Sequence, residues 1–504
     1  MSAFQHLPLG QRIPPSPHAV SCSLPTMSAV RGYEEKDPAV MDRLSSGYPR
    51  FVVHPFAKQL AAHFVATVPE LHDRTLWLTT SPRLSHALAS FLQDQFPAAA
   101  AAAFSRDGLS GVAHAKAAAP AARAKTFLQN VGGFLSSREA EDHLVRLGLV
   151  PAAFAETVSS GDAPAEIRAA LRRALPGTAD ADLLLAGCGM NAVHAAFRAA
   201  AEIQAARGRT VWLQLGWLYL DTIALLKRFT ATPADYVYLR DPLDLEGIAR
   251  IFAKHGARIA GIVAELPTNP LIQTPDIPAL SELCRRHGAH FIVDPSVASV
   301  FSVDVLPHCD VVATSLTKYT ASEGDLTAGL VAINPTGPDA AELRRRVAAE
   351  LEPVYPRDLA RLAFEIRETE TVLARIDATT ARVAAFLSAH PKIAHVYWAL
   401  QPDSRAHYLR LARRPDATGG MISFTLRGPM DPFYDRLRLP KGPSFGMKTT
   451  LICPFMYLAH YDLVTTPAGL AELAASKLDP DLLRLCCGTE PAEDIIASLA
   501  EALG

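Results

Sequence analysis

Three segments of the chain end apolar runs on side chains that can do chemistry. HFIVD ends in Asp294. CDVVATS runs into Ser315, Thr317 and Lys318. IAGIVAE ends in Glu265 and is followed by LPTNP, which contains Asn269. A short apolar run that stops at an ionisable residue reads as a buried strand delivering that residue to a loop. Asp294 and Lys318 stand about one strand–loop–strand unit apart, so a carboxylate and an amine are expected at neighbouring strand ends. Two readings are open. The pair is a buried salt bridge, which seldom stabilises a fold more than an apolar replacement would. Or the pair binds a cofactor. Desolvation favours the neutral form of a lysine, and a neutral amine condenses with an aldehyde. A buried aspartate can hold a pyridine nitrogen protonated, which makes the ring an electron sink.

GCGMNAVHAAFRAA, residues 187–200, favours the second reading. Gly187-x-Gly189 lies between a strand pattern and a helix pattern, and free amides at a helix start bind phosphate. Alone the pattern is weak, because tight turns use it widely. With the hydroxyls of Ser315 and Thr317 beside the lysine, it supplies a second set of phosphate donors. Pyridoxal 5′-phosphate, a phosphorylated aldehyde, satisfies all of these groups together; no metal is expected.

The scaffold for such residues is legible in the strand and helix periods. From 182 to 334 unbroken apolar runs (DLLLAG, TVWLQLG, IAGIVAE, HFIVD, CDVVATS, GLVAIN) alternate with amphipathic helical stretches. This is the signature of an α/β domain with a mostly parallel sheet covered on both faces, whose ligands bind beyond the carboxyl ends of the strands. The chain of 504 residues exceeds one hydrophobic core. We divide it into an arm (1–55), a helical, Ala-rich insertion region (56–180), the cofactor-binding α/β domain (181–340), and a linking helix with a smaller C-terminal α+β domain (341–504). The low-complexity stretch PAAAAAAFSRDGLSGVAHAKAAAPAARAK is read as helix or mobile insertion, without functional content. A hydrophobic fraction of 49% with 20% charged residues fits a folded globular protein, and a net charge of −2 suggests neither nucleic acid nor anionic membrane as a partner. Seven cysteines without a C-x-x-C pair predict reduced thiols and a cytoplasmic location. The proline-containing N-terminus lacks a signal peptide's apolar segment, and no apolar run is long enough to span a bilayer.

At this point the sequence resembles the cystathionine γ-synthase family of pyridoxal-phosphate enzymes, which act on Cys, Met and homoserine derivatives. Five motifs in order carry the resemblance: GYPRFVVHP, Cys188-Gly189-Met190, Glu265-Leu266-Pro267-Thr268-Asn269-Pro270, Ser315-Leu316-Thr317-Lys318-Tyr319 with Asp325 and Gly329 after it, and LLRLCCGTEPAEDII. It implies fold type I of the pyridoxal-phosphate transferases. It implies Lys318 as Schiff-base lysine and proton shuttle, Asp294 as partner of the pyridine nitrogen, and Asn269 as donor to the phenolic oxygen. The Gly189 and Met190 amides would cradle the phosphate with the Ser315 and Thr317 hydroxyls. Tyr48 and Arg50 would reach the phosphate in a neighbouring subunit, giving a homodimer or homotetramer with composite sites. Arg484 would take the substrate carboxylate. A buried guanidinium needs an anionic partner in any case, and its planar fork suits a carboxylate.

Departures from the family pattern bear on the substrate. Pro295-Ser296 replaces Asn-Thr. Leu215-Gly216-Trp217-Leu218-Tyr219 replaces the loop whose tyrosine stacks on the cofactor, which leaves Trp217 and Tyr219 as alternatives for stacking. Ser322-Glu323-Gly324-Asp325 replaces Gly-His-Ser-Asp. The long fungal-type cystathionine γ-synthases resemble the chain most, in the arm, in GWLYLDT and in PKGPSFGMKTTLICPFMYLAHYDL. The expected reaction is γ-replacement, joining an O-acylhomoserine to cysteine as in methionine biosynthesis. A β- or γ-lyase of cystathionine or methionine is the alternative, and a cofactor-binding homologue without catalysis is the third reading.

Overall fold

The computed structural model describes residues 4–49 and 51–504. The arm opens with a two-stranded ribbon, β1 (Arg12–Ile13) and β2 (Ser21–Cys22). The inserted region contains β3 (Arg74–Thr79), β4 (Ala102–Arg106) and β5 (Leu109–Ala115) in an antiparallel sheet ordered β3-β5-β4. Over 102–115 this corrects the reading of the Ala-rich stretch as helix or mobile insertion, while the end of the stretch is helical as expected, in the helix Ala118–Val131. Asp107 and Gly108 adopt φ of +51° and +78°, so they form the left-handed two-residue turn that joins β4 to β5. That turn, and the burial of LSGVAHA as the central strand between β3 and β4, override the helix preference of the alanines. The region builds its own apolar clusters, one around Leu60, Phe64 and Leu78 and one around Leu88, Leu92 and Val112.

The central sheet is formed by β6 (Leu183–Ala186), β7 (Val211–Leu215), β8 (Tyr236–Leu239), β9 (Ile259–Glu265), β10 (His290–Asp294), β11 (Val311–Ser315) and β12 (Gly329–Ile333), ordered β6-β12-β11-β10-β9-β7-β8. β8, β7, β9, β10 and β11 run parallel; β12 is antiparallel to both of its neighbours. Its strands are apolar throughout because both faces are covered, one by the helices 245–255 and 277–287 and the other by 189–205, 220–229 and 340–350. Register sets the chemistry: Asp294 pairs with Glu265 across β10 and β9, and Ser315 pairs with Gly329 across β11 and β12. Two carboxylates and the strand that leads to Lys318 therefore finish at one edge of the sheet.

The helix Thr369–Ala389 leads to a second antiparallel sheet of β13 (Ile393–Trp398), β14 (Met421–Leu426), β15 (Leu451–Pro454) and β16 (Leu483–Cys486), ordered β13-β14-β16-β15. Arg484 lies in β16, opposite Ser423 and Cys453. The arm packs on this domain and on the loop after Lys318. Val20 N donates to Gly324 O at 2.9 Å, Leu24 N to Lys441 O at 2.9 Å, and Ser46 Oγ to Ala19 O at 2.7 Å. All seven cysteines are buried and unbridged, and no helix among the described residues is long and apolar enough to cross a membrane.

One buried guanidinium joins the inserted region to the rest. Arg138, 1% exposed, donates to Glu156 at 2.6 Å and to the carbonyl of Asp325 at 2.9 Å, and lies 3.4 Å from Asp358. Asp325 also accepts from Arg361 at 2.9 Å. Arg138→Met strands buried carboxylates, so a loss of about 3 kcal/mol of stability is expected in chemical denaturation. An unchanged denaturation midpoint would show that the network holds nothing together.

Candidate active site

The sheet edge, the C-terminal domain and the arm enclose a cavity of about 110 Å³. Lys318, 6% exposed, enters from the loop after β11. Its Nζ donates to Ser444 Oγ at 2.7 Å and lies 4.4 Å and 4.8 Å from the ring centres of Tyr48 and Phe445. Arg484 reaches the same space from β16. It donates to Ser444 O at 3.1 Å and to Asn269 Oδ1 at 3.4 Å, and its guanidinium faces Phe455 at 4.7 Å and Phe445 at 5.2 Å. Among the described residues no carboxylate forms an ion pair with Arg484, so a buried cation is left aimed at a cavity, which is the signature of an anionic ligand. Ser444 holds both cations, one by its hydroxyl and one by its carbonyl. It does so at φ +84°, a left-handed conformation that costs a non-glycine residue strain.

Asp294 and Glu265 form the opposite wall. Burial pushes Asp294 up to about 6, while Ser296 opposes that by donating its amide at 2.8 Å and its hydroxyl at 2.5 Å. The Ser296 hydroxyl also accepts from Ser315 N at 2.8 Å and contacts Thr314 Oγ1 at 3.0 Å. The departure Pro295-Ser296 thus locks the carboxylate to the strand that carries the lysine. Glu265 is pushed well above the carboxylate range, by burial first and by Asp294 second, although Tyr219 N donates to it at 2.5 Å. A cation facing Asp294 would relieve both carboxylates.

The helix Gly189–Ala205 points its first turn at this cavity. A Cβ at Gly189 would sit 2.6 Å from Ser315 Cβ, so only glycine lets the helix approach the strand end. The amides of Gly189 and Met190 have no acceptor within the helix. Cys188 Sγ accepts from Asn191 N at 3.4 Å and caps the turn. Amides at a helix start, a lysine, a carboxylate placed for a ring nitrogen and a cradle that a Cβ would fill are the groups that a phosphorylated pyridine aldehyde needs.

The structure gathers Lys318, Asp294, Asn269, Gly189, Met190, Ser315, Tyr48, Tyr219 and Arg484 around one cavity, and two of the expected residues lie elsewhere. The Thr317 hydroxyl donates to Ala328 O at 3.2 Å and accepts from Ala328 N at 3.0 Å; it closes a turn and does not line the cavity. Trp217 packs behind the wall, donating to His460 Nε2 at 3.0 Å, so Tyr219 is the aromatic of that loop that lines the cavity. Arg50 lies outside the described residues. Tyr48 meets Lys318 of its own chain, and the hydrogen bonds at Val20 and Leu24 hold the arm against the loop after Lys318 and the C-terminal domain. Ser444, Phe445 and Phe455 were not singled out from the sequence. Their only signal is the GPSF and CPF segments, whose roles depend on tertiary placement.

The family model described as Cys/Met metabolism PLP-dependent enzyme matches residues 169–504. Among curated proteins, the L-2-amino-4-chloropent-4-enoate dechlorinase/desaturase of Streptantibioticus cattleyicolor is 39% identical, over 97% of this chain and 97% of its own. The cystathionine γ-synthase of Neurospora crassa is 26% identical, over 98% of each chain. Among solved structures, the cystathionine γ-synthase of Xanthomonas oryzae pv. oryzae in complex with cystathionine superposes with a TM-score of 0.58 at 23% identity, covering 68% of this chain and 86% of the other.

Two outcomes follow from this geometry. Gly189→Ala is expected to weaken pyridoxal-phosphate retention by roughly tenfold or more in equilibrium dialysis while the far-ultraviolet circular dichroism stays that of the parent; undiminished retention would remove the cradle. In the cofactor-free protein the folded state keeps the Asp294 proton up to about 6, against 3.8 for the unfolded chain. Stability from this group is therefore present at low pH and lost as pH rises. Between about pH 4 and pH 7 the parent is expected to lose on the order of 2 kcal/mol relative to Asp294→Asn. A difference that does not change with pH would contradict the burial of this carboxylate.

Proposed function

The chain belongs to the Cys/Met-metabolism PLP-dependent enzymes, and from that premise we propose that it expels a leaving group from the γ-carbon of a short α-amino acid, with elimination rather than thiol addition as the outcome. Arg484 takes the substrate α-carboxylate through its two terminal nitrogens, held in place by Ser444 O and Asn269. When pyridoxal 5′-phosphate is bound, Asn269 would offer its amide nitrogen to the phenolic oxygen, Asp294 would hold the proton on the pyridine nitrogen, and Tyr219 would lie against the ring. The Gly189 and Met190 amides and the Ser315 hydroxyl would take the phosphate. Pyridoxal 5′-phosphate supplies the electron sink that makes the α- and β-protons acidic. Lys318, aimed by Ser444 Oγ, removes the proton from the substrate Cα and returns protons later in the cycle. The bond from Cγ to the leaving group breaks with its electron pair leaving on that group, so the net change is loss of one proton and one anion.

The observation that carries this reading is the composition of the wall. Beyond Arg484 the cavity is lined by Phe445, Phe455, Leu458 and Ala459, and among the described residues its only ionisable groups of the Lys, Arg, Asp and Glu kinds are Lys318, Arg484, Glu265 and Asp294. Once Arg484 holds the first carboxylate, a second amino acid such as cysteine finds no further arginine among the described residues of the lining, whereas an apolar chlorinated side chain finds a matching surface. The 39%-identical dechlorinase/desaturase supports the same direction. Thiol γ-replacement to cystathionine is the second reading, favoured by the full-length match to the Neurospora crassa enzyme. A methionine-biosynthetic role depends on that second reading. The cytoplasm remains the proposed location, and an oligomer the proposed assembly.

The purified holoenzyme should be given 2-amino-4-chloropent-4-enoate and, separately, O-acetyl- and O-succinylhomoserine, each with and without cysteine. Chloride release from the first substrate independent of cysteine is expected. Turnover confined to the esters, with a thioether formed from cysteine, would overturn elimination in favour of replacement.

A further inference from the structure

The inserted region does more than cover the sheet. Where it meets the arm and the central sheet it encloses a second cavity of about 270 Å³, larger than the one at Lys318. The first turn of the helix Pro55–Thr67 contributes Lys58, and the first turn of the helix Ser137–Arg146 contributes Glu139. Gly187 and Cys188, which lead into the phosphate-facing helix, close the far side.

Charges around this cavity are paired, with two exceptions. Asp325 and Asp358 are held by Arg138 and Arg361, and Glu352 by Arg83. His18 contacts Ser137 Oγ at 2.9 Å and lies 3.3 Å from Glu141, and burial beside Arg138 pushes its imidazole down to about 2, so it is neutral. Among the described residues, the side chains of Glu139 and Lys58 form no ion pair or hydrogen bond. Glu139 is half-buried beside Asp358, a poor place for an unpaired carboxylate, and it rises to about 7 by burial first and Asp358 second. Lys58 stands exposed at the mouth, at the positive end of its helix. The same cavity has an apolar part of its wall, built from Val20, Val53, Leu76 and Leu135.

A half-buried carboxyl group that an ammonium partner would ionise, a lysine and an apolar stretch of wall in a single cavity suit a zwitterion with a hydrocarbon side chain. We propose that this cavity binds a free α-amino acid with an apolar side chain, its ammonium group on Glu139 and its carboxylate on Lys58. The occupant would touch Gly187, whose carbonyl accepts from Thr327 Oγ1 at 2.9 Å, and so would bear on the segment that starts the phosphate cradle. The site is independent of which reaction occurs at Lys318.

Equilibrium dialysis of the holoenzyme against labelled L-leucine tests it, with the visible absorbance of the bound cofactor reporting the equivalent at the Lys318 cavity. Two equivalents per chain are expected. Glu139→Gln and Lys58→Met should each weaken the second by roughly tenfold or more and leave the first, spectroscopically visible one unchanged. Isocaproate, which lacks the amine, should fail to displace the second equivalent. The absence of any equivalent that leaves the cofactor absorbance unchanged, or such an equivalent indifferent to both substitutions, would overturn the proposal.

Discussion

The parallel register between β9 and β10 is the constraint on which the cavity depends. It ends two strands on Glu265 and Asp294 side by side, with β11, the strand that leads to Lys318, next in the sheet. Two buried carboxylates at adjacent strand ends cannot both ionise without cost, so the edge is poised for a cation. A protonated ring nitrogen answers that need, and Ser296 keeps Asp294 aimed while tying it to Ser315. Nothing comparable would result if either strand slipped by one residue, because the side chains would then alternate to the wrong face.

Against that edge the C-terminal domain brings a second set of constraints. Ser444, strained at positive φ, holds Lys318 with its hydroxyl and Arg484 with its carbonyl, so the amine and the guanidinium are positioned by one residue. The aromatic rings of Phe445 and Phe455 flank the guanidinium where a protein carboxylate would otherwise have to sit. Asp325, in the segment that departs from the relatives' pattern, is absorbed into the Arg138 and Arg361 network rather than into the cavity.

Much of this was legible in the residues. Unbroken apolar runs ending in Glu265, Asp294 and Ser315 announce parallel strands, because only a strand buried on both faces tolerates them. Arg484 within LLRLCC announces a buried cation. What escaped is what tertiary packing decides. A threonine one residue before a lysine does not reveal which way its hydroxyl turns, and Thr317 turns into its own loop. Trp217 and Tyr219 lie two apart after Gly216, and only the fold shows that Tyr219 lines the cavity while Trp217 meets His460. The hairpin in the Ala-rich stretch had its signal in Asp107-Gly108, but composition obscured it. The arm's path back to its own Lys318 follows from hydrogen bonds more than two hundred residues distant in sequence, which no local pattern encodes.

Lys318 is not the only deeply buried amine. Lys441, 2% exposed and pushed down to about 8 by burial, donates to Pro25 O at 2.7 Å and lies 4.8 Å from the Tyr434 ring, away from the cavity. This makes the central claim sharply testable. The holoprotein, reduced with borohydride, digested and mapped by mass spectrometry, should carry the pyridoxyl group on the peptide containing Lys318 alone. A pyridoxyl group on Lys441, on any other lysine or on none would contradict the account.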